Sequence, residues 1–319
     1  MATNFPTNID TFTDQTSSDL ITSAKWNNLQ DSIEALEEKV GADSSAITTS
    51  HDYKIDALET AIDALETAID TKPTERSADI TVTVGSGGDY STINDALAAL
   101  SAYYPLYVSG GFTAEISLLT GFEMAEQVLV SGIDLSWITI TAVDASTTIT
   151  RSALTVSFGG TYPAFGVIGG RLPIIGALFS MDTSGTATDR NFITARDGSF
   201  VKVSASCGCQ YAGENGIVLY DASGAMLAGA DFSHATGNGI YAHACVVQAN
   251  GAIVSYAGNS GVLSAYTSSV DATNANGENA SRYGFRVATG GHINAGGVTG
   301  TLSQAANTLT ASGIIYKFT

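Results

Sequence analysis

The chain is short of positive charge, of cysteine and of proline, and no stretch of it is apolar enough to cross a bilayer. Thirteen Lys and Arg stand against 31 Asp and Glu, a net charge of -18. Nucleic acid would meet the wrong sign, and no basic cluster offsets it. Nowhere do about eighteen apolar residues run consecutively, so no membrane insertion is expected. The opening MATNFPTNIDTFTDQTSSD lacks the basic patch and apolar stretch of a secretion signal, which predicts folding in a cytoplasm. Cys207, Cys209 and Cys245 are too few and too unevenly placed for a disulfide framework. Cys207 and Cys209 form an isolated C-x-C with no second pair, so no metal site is predicted, and nothing in the sequence asks for a cofactor. Glycine numbers 34 and charged residues make up only 14%, a composition of turns and long neutral stretches rather than of a compact enzyme.

What is present begins with heptads. Trp26, Leu29, Ile33, Leu36 and Val40 recur at steps of three and four, with Ile47 one heptad later. Ile55, Leu58, Ile62, Leu65 and Ile69 repeat the spacing, and DALETAI occurs twice, at 56–62 and 63–69. Both runs form an a/d seam. The register slips by one between them, in GADSSAITTSH, which predicts a break or change of winding over 41–52. The seam is narrow and its flanks are Asp, Glu, Thr and Ala. This predicts a coiled-coil stalk between chains over 25–72; a hairpin within one chain, turning in the break, is the alternative. Ile at one seam position and Leu at the other lean toward two strands, so the heptads alone do not give three. Pro73 ends the helix, and 73–79 reads as a hinge.

Beyond it lies a repeat of 22 to 23 residues. Gly216, Gly239, Gly261 and Gly284 mark it, and other columns fall into place around them. Four residues earlier stand Ala212, Ala235, Ala257 and Ala280; nine earlier stand Cys207, Ala230, Ala252 and Ala275. One residue later come Ile217, Ile240, Val262 and Phe285. That period fits one coil of three short strands, stacked on the next at about 4.8 Å. If the column after the glycines faces inward, the following one, Val218, Tyr241, Leu263 and Arg286, faces out. An outward apolar stripe predicts cover by a neighbouring copy. Five before the glycines stand Tyr211, His234 and Tyr256, then Asn279. The three rings read either as a platform for sugars or as a side-chain stack tying successive coils.

Residues 80–140 hold a strand, a Gly-rich turn, an aromatic residue and a short amphipathic helix in ITVTVGSGGDYSTINDALAAL, followed by LYVSGGFTAEISLLTGFEMAEQVLVSGIDLSWITITAV. The first segment resembles the start of pectate-lyase-like β-helices, in which such a helix caps the core, and the second resembles their first coils. NNLQDSIEALEEKVGADSSAITTSHDYKI resembles the N-terminal segments of tailed-phage tailspike and tail-fibre proteins. The resemblance implies a right-handed parallel β-helix over 80–319 with a capping helix at about 91–101. It further implies a virion-anchoring segment at 1–24 and a homotrimeric spike or fibre, located in the virion. That spike would meet other tail or baseplate proteins through its N-terminus and host surface glycan through its β-helix.

Proteins of this kind are often glycan depolymerases, and glycoside hydrolysis needs two carboxyl groups about 5 to 9.5 Å apart. Within the registered repeats Glu214, Asp221, Asp231, Asp271 and Glu278 share no column. The stretch 171–202 is richer in charge, and Asp189 and Asp197 are its candidate catalytic pair; a polar loop with solvated charges is the plainer reading. Attachment without cleavage is therefore the leading expectation. A polysaccharide depolymerase is the alternative, and a bacterial β-helix surface adhesin is a third reading.

Overall fold

The computed structural model describes residues 23–40, 46, 48, 50–70, 74–76, 78–105, 112–183, 189–298 and 314–316. The segment expected to anchor the chain, 1–24, lies almost wholly outside these residues, as do Ile47 and the side chain of Ile69. Two units divide between Lys72 and Pro73.

The first unit contains helix α1, Ser23–Val40, and helix α2, His51–Asp70. Ala, Leu, Glu and Lys supply about half of each, residues that lose little freedom in a helix. The duplicated heptads of α2 are equivalent in detail: the Thr60 and Thr67 hydroxyls each donate to the carbonyl four residues back, at Asp56 and Asp63, at 2.9 Å.

The second unit is a parallel β-solenoid of about eight coils. Each later coil runs through three faces. Arg190–Arg196 lies in a seven-stranded sheet, Phe200–Lys202 in a six-stranded one and Gly208–Gln210 in a four-stranded one, before Ile217–Tyr220 returns to the first. All the strand pairs are parallel, and the register keeps like residues together. Ile193 lies opposite Ile217, Ile217 opposite Ile240, Ile240 opposite Val262, and Val262 opposite Phe285. All five are buried. The column expected to face inward does so.

The glycine column has a steric cause. A Cβ at Gly216, Gly239 or Gly261 would stand 2.5, 2.8 or 2.6 Å from the carbonyl oxygen of the glycine one coil on. Backbone lies directly against backbone there, and no side chain fits. The alanine columns are buried as well, except that Cys207 is half-buried while Ala230, Ala252 and Ala275 are sealed. Cys209 and Cys245 are the buried thiols; desolvation pushes Cys245 up to about 11 and Cys209 further. All three cysteines are free.

Two internal ladders hold the coils together. Phe165, Phe179, Phe192 and Phe232 meet at centroid distances of 5.4 to 6.5 Å in the core. Beside them Asn215 donates its backbone N–H and side-chain Nδ2 to Asn191 Oδ1, both at 3.0 Å. Asn238 repeats this on Asn215 Oδ1 at 3.0 and 2.8 Å. Asn215 is satisfied from both sides, while Asn191 Nδ2 and Asn238 Oδ1 at the two ends of the ladder have no partner among the described residues.

Helix α3, Ile93–Leu100, lies within the segment 91–101 where a helix is expected and buries Ile93, Ala96, Leu97 and Leu100. Thr92 caps it by accepting from the Asp95 N–H. Glu126, more than thirty residues away, accepts from the Ile93 and Asn94 N–H groups at 2.6 and 3.1 Å. Burial pushes the Glu126 carboxyl above the usual range, against the pull of those donors. Part of the expected hinge is ordered, since Thr74–Arg76 pairs in parallel with Tyr103–Pro105.

Candidate functional site

Coil corners force backbone into unusual conformations, and here one corner carries rings. Tyr211, His234, Tyr256 and Asn279 have φ of 59°, 59°, 57° and 56°. This left-handed region costs an ordinary L-residue roughly 1–2 kcal/mol and suits Asn best among side-chain-bearing residues. Three large rings therefore occupy positions for which the fourth coil shows the comfortable residue. Their compensation is contact with one another. Tyr211 and His234 stand 4.7 Å apart at 30°, His234 and Tyr256 4.7 Å apart at 10°.

The stacking decides what the column can bind. Both faces of His234 are taken by its neighbours, so solvent meets the edges of the rings rather than a row of open faces. The two end rings, Tyr211 and Tyr256, each stack on one side only, and Tyr211 is the one beside a cavity. The volume of this cavity is about 570 Å³, and its other walls are Thr148, Ser180, Met181, Asp182 and Thr183. His234 lies one coil further on and those five residues lie one or two coils back, so the Tyr211 face turned away from His234 is the one beside the cavity.

Arg151 fixes the two ends of that cavity relative to each other. Its Nη2 donates to the Tyr211 carbonyl at 3.0 Å, and its backbone N–H donates to Asp182 Oδ1 at 2.9 Å. The arginine is itself buried. Walls held by a buried group need no reordering when a ligand arrives.

The outward column of the seven-stranded sheet is placed as expected. Thr194 lies opposite Val218, Val218 opposite Tyr241, Tyr241 opposite Leu263, and Leu263 opposite Arg286. One residue departs from the expectation: Val218 is only 1% exposed within the single chain. The earlier coils are covered by the chain's own loop. Gln127 pins Val156 through both atoms of its amide, Phe158 sits where a side chain at Gly166 would be, and Arg196 Nη1 donates to the Gly159 carbonyl at 2.6 Å. The stripe open to a partner thus begins at Tyr241 and continues to Leu263, both half-buried. Tyr220, His243 and Tyr266 flank it, with Arg196 over the Tyr220 ring at 4.6 Å.

The structure separates the two candidate carboxylates. Asp189 precedes the strand Arg190–Arg196 and Asp197 follows it. Eight residues of extended chain put them roughly 25 Å apart, far beyond the reach of a glycosidase pair. Asp189 instead pairs with Arg190. Asp197 has another neighbour. Ala195 lies opposite Leu219, so Asp197 and Asp221 share a corner position in successive coils, where the spacing is about 4.8 Å. Both are exposed, and Arg196 lies 3.9 Å from Asp221. Asp197 also lines a cavity of about 260 Å³ with Asp134 and Arg171, which are paired at 3.4 Å. Among the described residues no group of three His, Cys, Asp or Glu is placed to hold a metal.

The helical unit presents a different surface. Leu29, Leu36, Ile55, Leu58, Ile62 and Leu65 are all exposed, with Leu58 and Leu65 at 62%, and Ile33 is half-buried. The buried side chains of α1 are polar: Gln30 at 3% and Glu37 at 8%. Among the described residues no helix is long and apolar enough to cross a membrane.

Fold and surfaces together define a mainly β protein, a parallel β-solenoid with a separate helical unit, consistent with the pectate-lyase-like β-helix architecture. No protein-family model matches the chain, and no curated protein matches it.

Proposed function

We propose that the protein is a homotrimeric virion attachment protein, a tailspike or tail fibre, whose helices associate as a coiled-coil stalk and whose right-handed β-helix meets host surface polysaccharide. The observation that carries this reading is the exposed seam of α1 and α2, an apolar a/d stripe on a chain whose solenoid already buries its own core. Such a stripe is stable in water only when another helix covers it. The resemblance of this segment to phage tail proteins supplies the setting: the N-terminus meets tail or baseplate proteins, and the solenoid projects outward. Net charge and surface chemistry support a glycan partner over nucleic acid.

The test joins location and binding. Antibody against the solenoid should decorate the tail of intact particles, and the purified protein should bind host cells and block infection. Deleting residues 1–72 should abolish incorporation into particles while leaving the solenoid folded. Incorporation that survives the deletion contradicts the stalk's anchoring role.

Cleavage of the bound glycan is a second reading, favoured by one observation, the corner pair Asp197 and Asp221. Its signature is release of oligosaccharides from host polysaccharide, lost in Asp197→Asn and in Asp221→Asn. Intact polysaccharide after prolonged incubation leaves attachment alone.

A further inference from the structure

We propose that the cavity at the end of the ring column is a subsite for a single neutral or amine-bearing pyranose, with Tyr211 as its stacking wall and Asp182 as its hydrogen-bond acceptor. The inference rests on the attachment reading above and gives it a location.

Size selects this cavity first. At about 570 Å³ it lies within the roughly 300–1,000 Å³ of small-molecule sites, and the acidic corner cavity, at about 260 Å³, falls below that range. Its lining selects the ligand. One wall is the flat face of an aromatic ring, and three others carry the hydroxyls of Thr148, Ser180 and Thr183. A pyranose has the matching asymmetry, with an apolar C–H face and an edge of hydroxyls that donate and accept. Among the described lining residues Asp182 is the charged one, and its Oδ1 already accepts from the Arg151 N–H. A carboxylate accepts strongly from hydroxyl or ammonium donors. It repels a uronic or sialic acid, as does a chain carrying -18.

The sealed faces of the column limit recognition to one sugar. His234 has no open face, so a glycan cannot lie ring upon ring along the three aromatic residues. It can present one residue to Tyr211 at the cavity, and the outer face of Tyr256, at the far end of the column, is two coils away. Single-residue binding is weak, and its strength on a cell surface comes from several copies acting together.

Ligand-observed NMR on the full-length protein tests this with methyl glycosides of glucose, galactose, glucosamine and glucuronic acid. Tyr211→Asn removes the ring but keeps a residue that the same column already carries at Asn279. Tyr256→Asn makes the identical change away from the cavity. Tyr211→Phe keeps the ring, and Asp182→Asn keeps an oxygen for the Arg151 N–H while removing the charge. Circular dichroism verifies that each variant is folded. The expected result is a loss of about tenfold for Tyr211→Asn, with Tyr256→Asn and Tyr211→Phe within about twofold of wild type. Asp182→Asn should weaken glucosamine more than galactose. Equal loss in Tyr256→Asn, no loss in Tyr211→Asn, preference for the glucuronide, or no binding of any glycoside overturns the subsite. Whole host cells separate the two levels of the argument. Cells bound equally by wild type and Tyr211→Asn overturn the subsite and leave attachment standing, whereas wild type that binds no cells overturns attachment itself.

Discussion

The helical unit and the solenoid solve the problem of apolar surface in opposite ways. In the solenoid, Ile217, Ile240, Val262 and Phe285 are sealed by the coils above and below, and the backbone satisfies itself from strand to strand. In the helices, Leu58 and Leu65 face water while Gln30 and Glu37 are buried. A β-solenoid finds its partners within its own sequence because each coil is the neighbour of the next. A two-faced helix with an a/d seam does not, and its stability depends on another helix. The difference separates a part of the chain that completes its own packing from a part whose apolar seam is left exposed.

The largest expected effect breaks that contrast on the helical side. Leu58→Asp with Leu65→Asp places two charges in the seam. The assembly should dissociate completely, by sedimentation, while the β-sheet circular dichroism stays unchanged. Survival of the assembly would move the interface onto the solenoid, to Tyr241 and Leu263.

On the solenoid side, Phe192→Ala removes a ring that touches Phe165, Phe179 and Phe232. A loss of about 3–5 kcal/mol is expected in denaturant unfolding, without change in the mass of the assembly. Asn215→Ala should cost about 1–3 kcal/mol, because it removes the side-chain partners of Asn191 Oδ1 and Asn238 Nδ2, two amides whose other atoms are already unpaired in the interior. A near-neutral result there would mean that water enters the ladder.

The smallest effect concerns pH. Glu126 titrates higher in the folded chain than its ordinary 4.5, chiefly through burial. A folded state that holds its proton more tightly is favoured at low pH. This contribution is complete below the unfolded value and is lost as pH rises through the raised folded one. The stability of wild type relative to Glu126→Gln should therefore rise as pH falls from neutral toward 4.5. A flat difference across that window would contradict the burial of the carboxyl.

How far the sequence could be read follows from what repeats. The glycine column was legible because at Gly216, Gly239 and Gly261 a carbonyl one coil away leaves no room for a Cβ, so four successive coils carry the mark, whereas the coil before them has Phe192 in that place. The outward column followed from the inward one by alternation, and α3 was legible as a short amphipathic helix in the segment that resembles a β-helix start. The asparagine ladder was not, since Asn215 and Asn238 give way to Ser260 and Tyr283 in the next coils. Asn191 and Asp197 each lie 24 residues before their partners, outside the 22 to 23 residue period, so neither Asn191–Asn215 nor Asp197–Asp221 declared itself. The cavity beside Tyr211 draws on Thr148, Ser180 and Asp182, from coils that precede the clear repeats. The ring column was visible as three residues, but only geometry reveals that their faces are spent on one another.

The claim that assembly resides in the helices is tested most directly by the mass of the full-length protein in solution at micromolar concentration. The account predicts three chains of 32.8 kDa in one particle. A stable single chain of 32.8 kDa under the same conditions would contradict it.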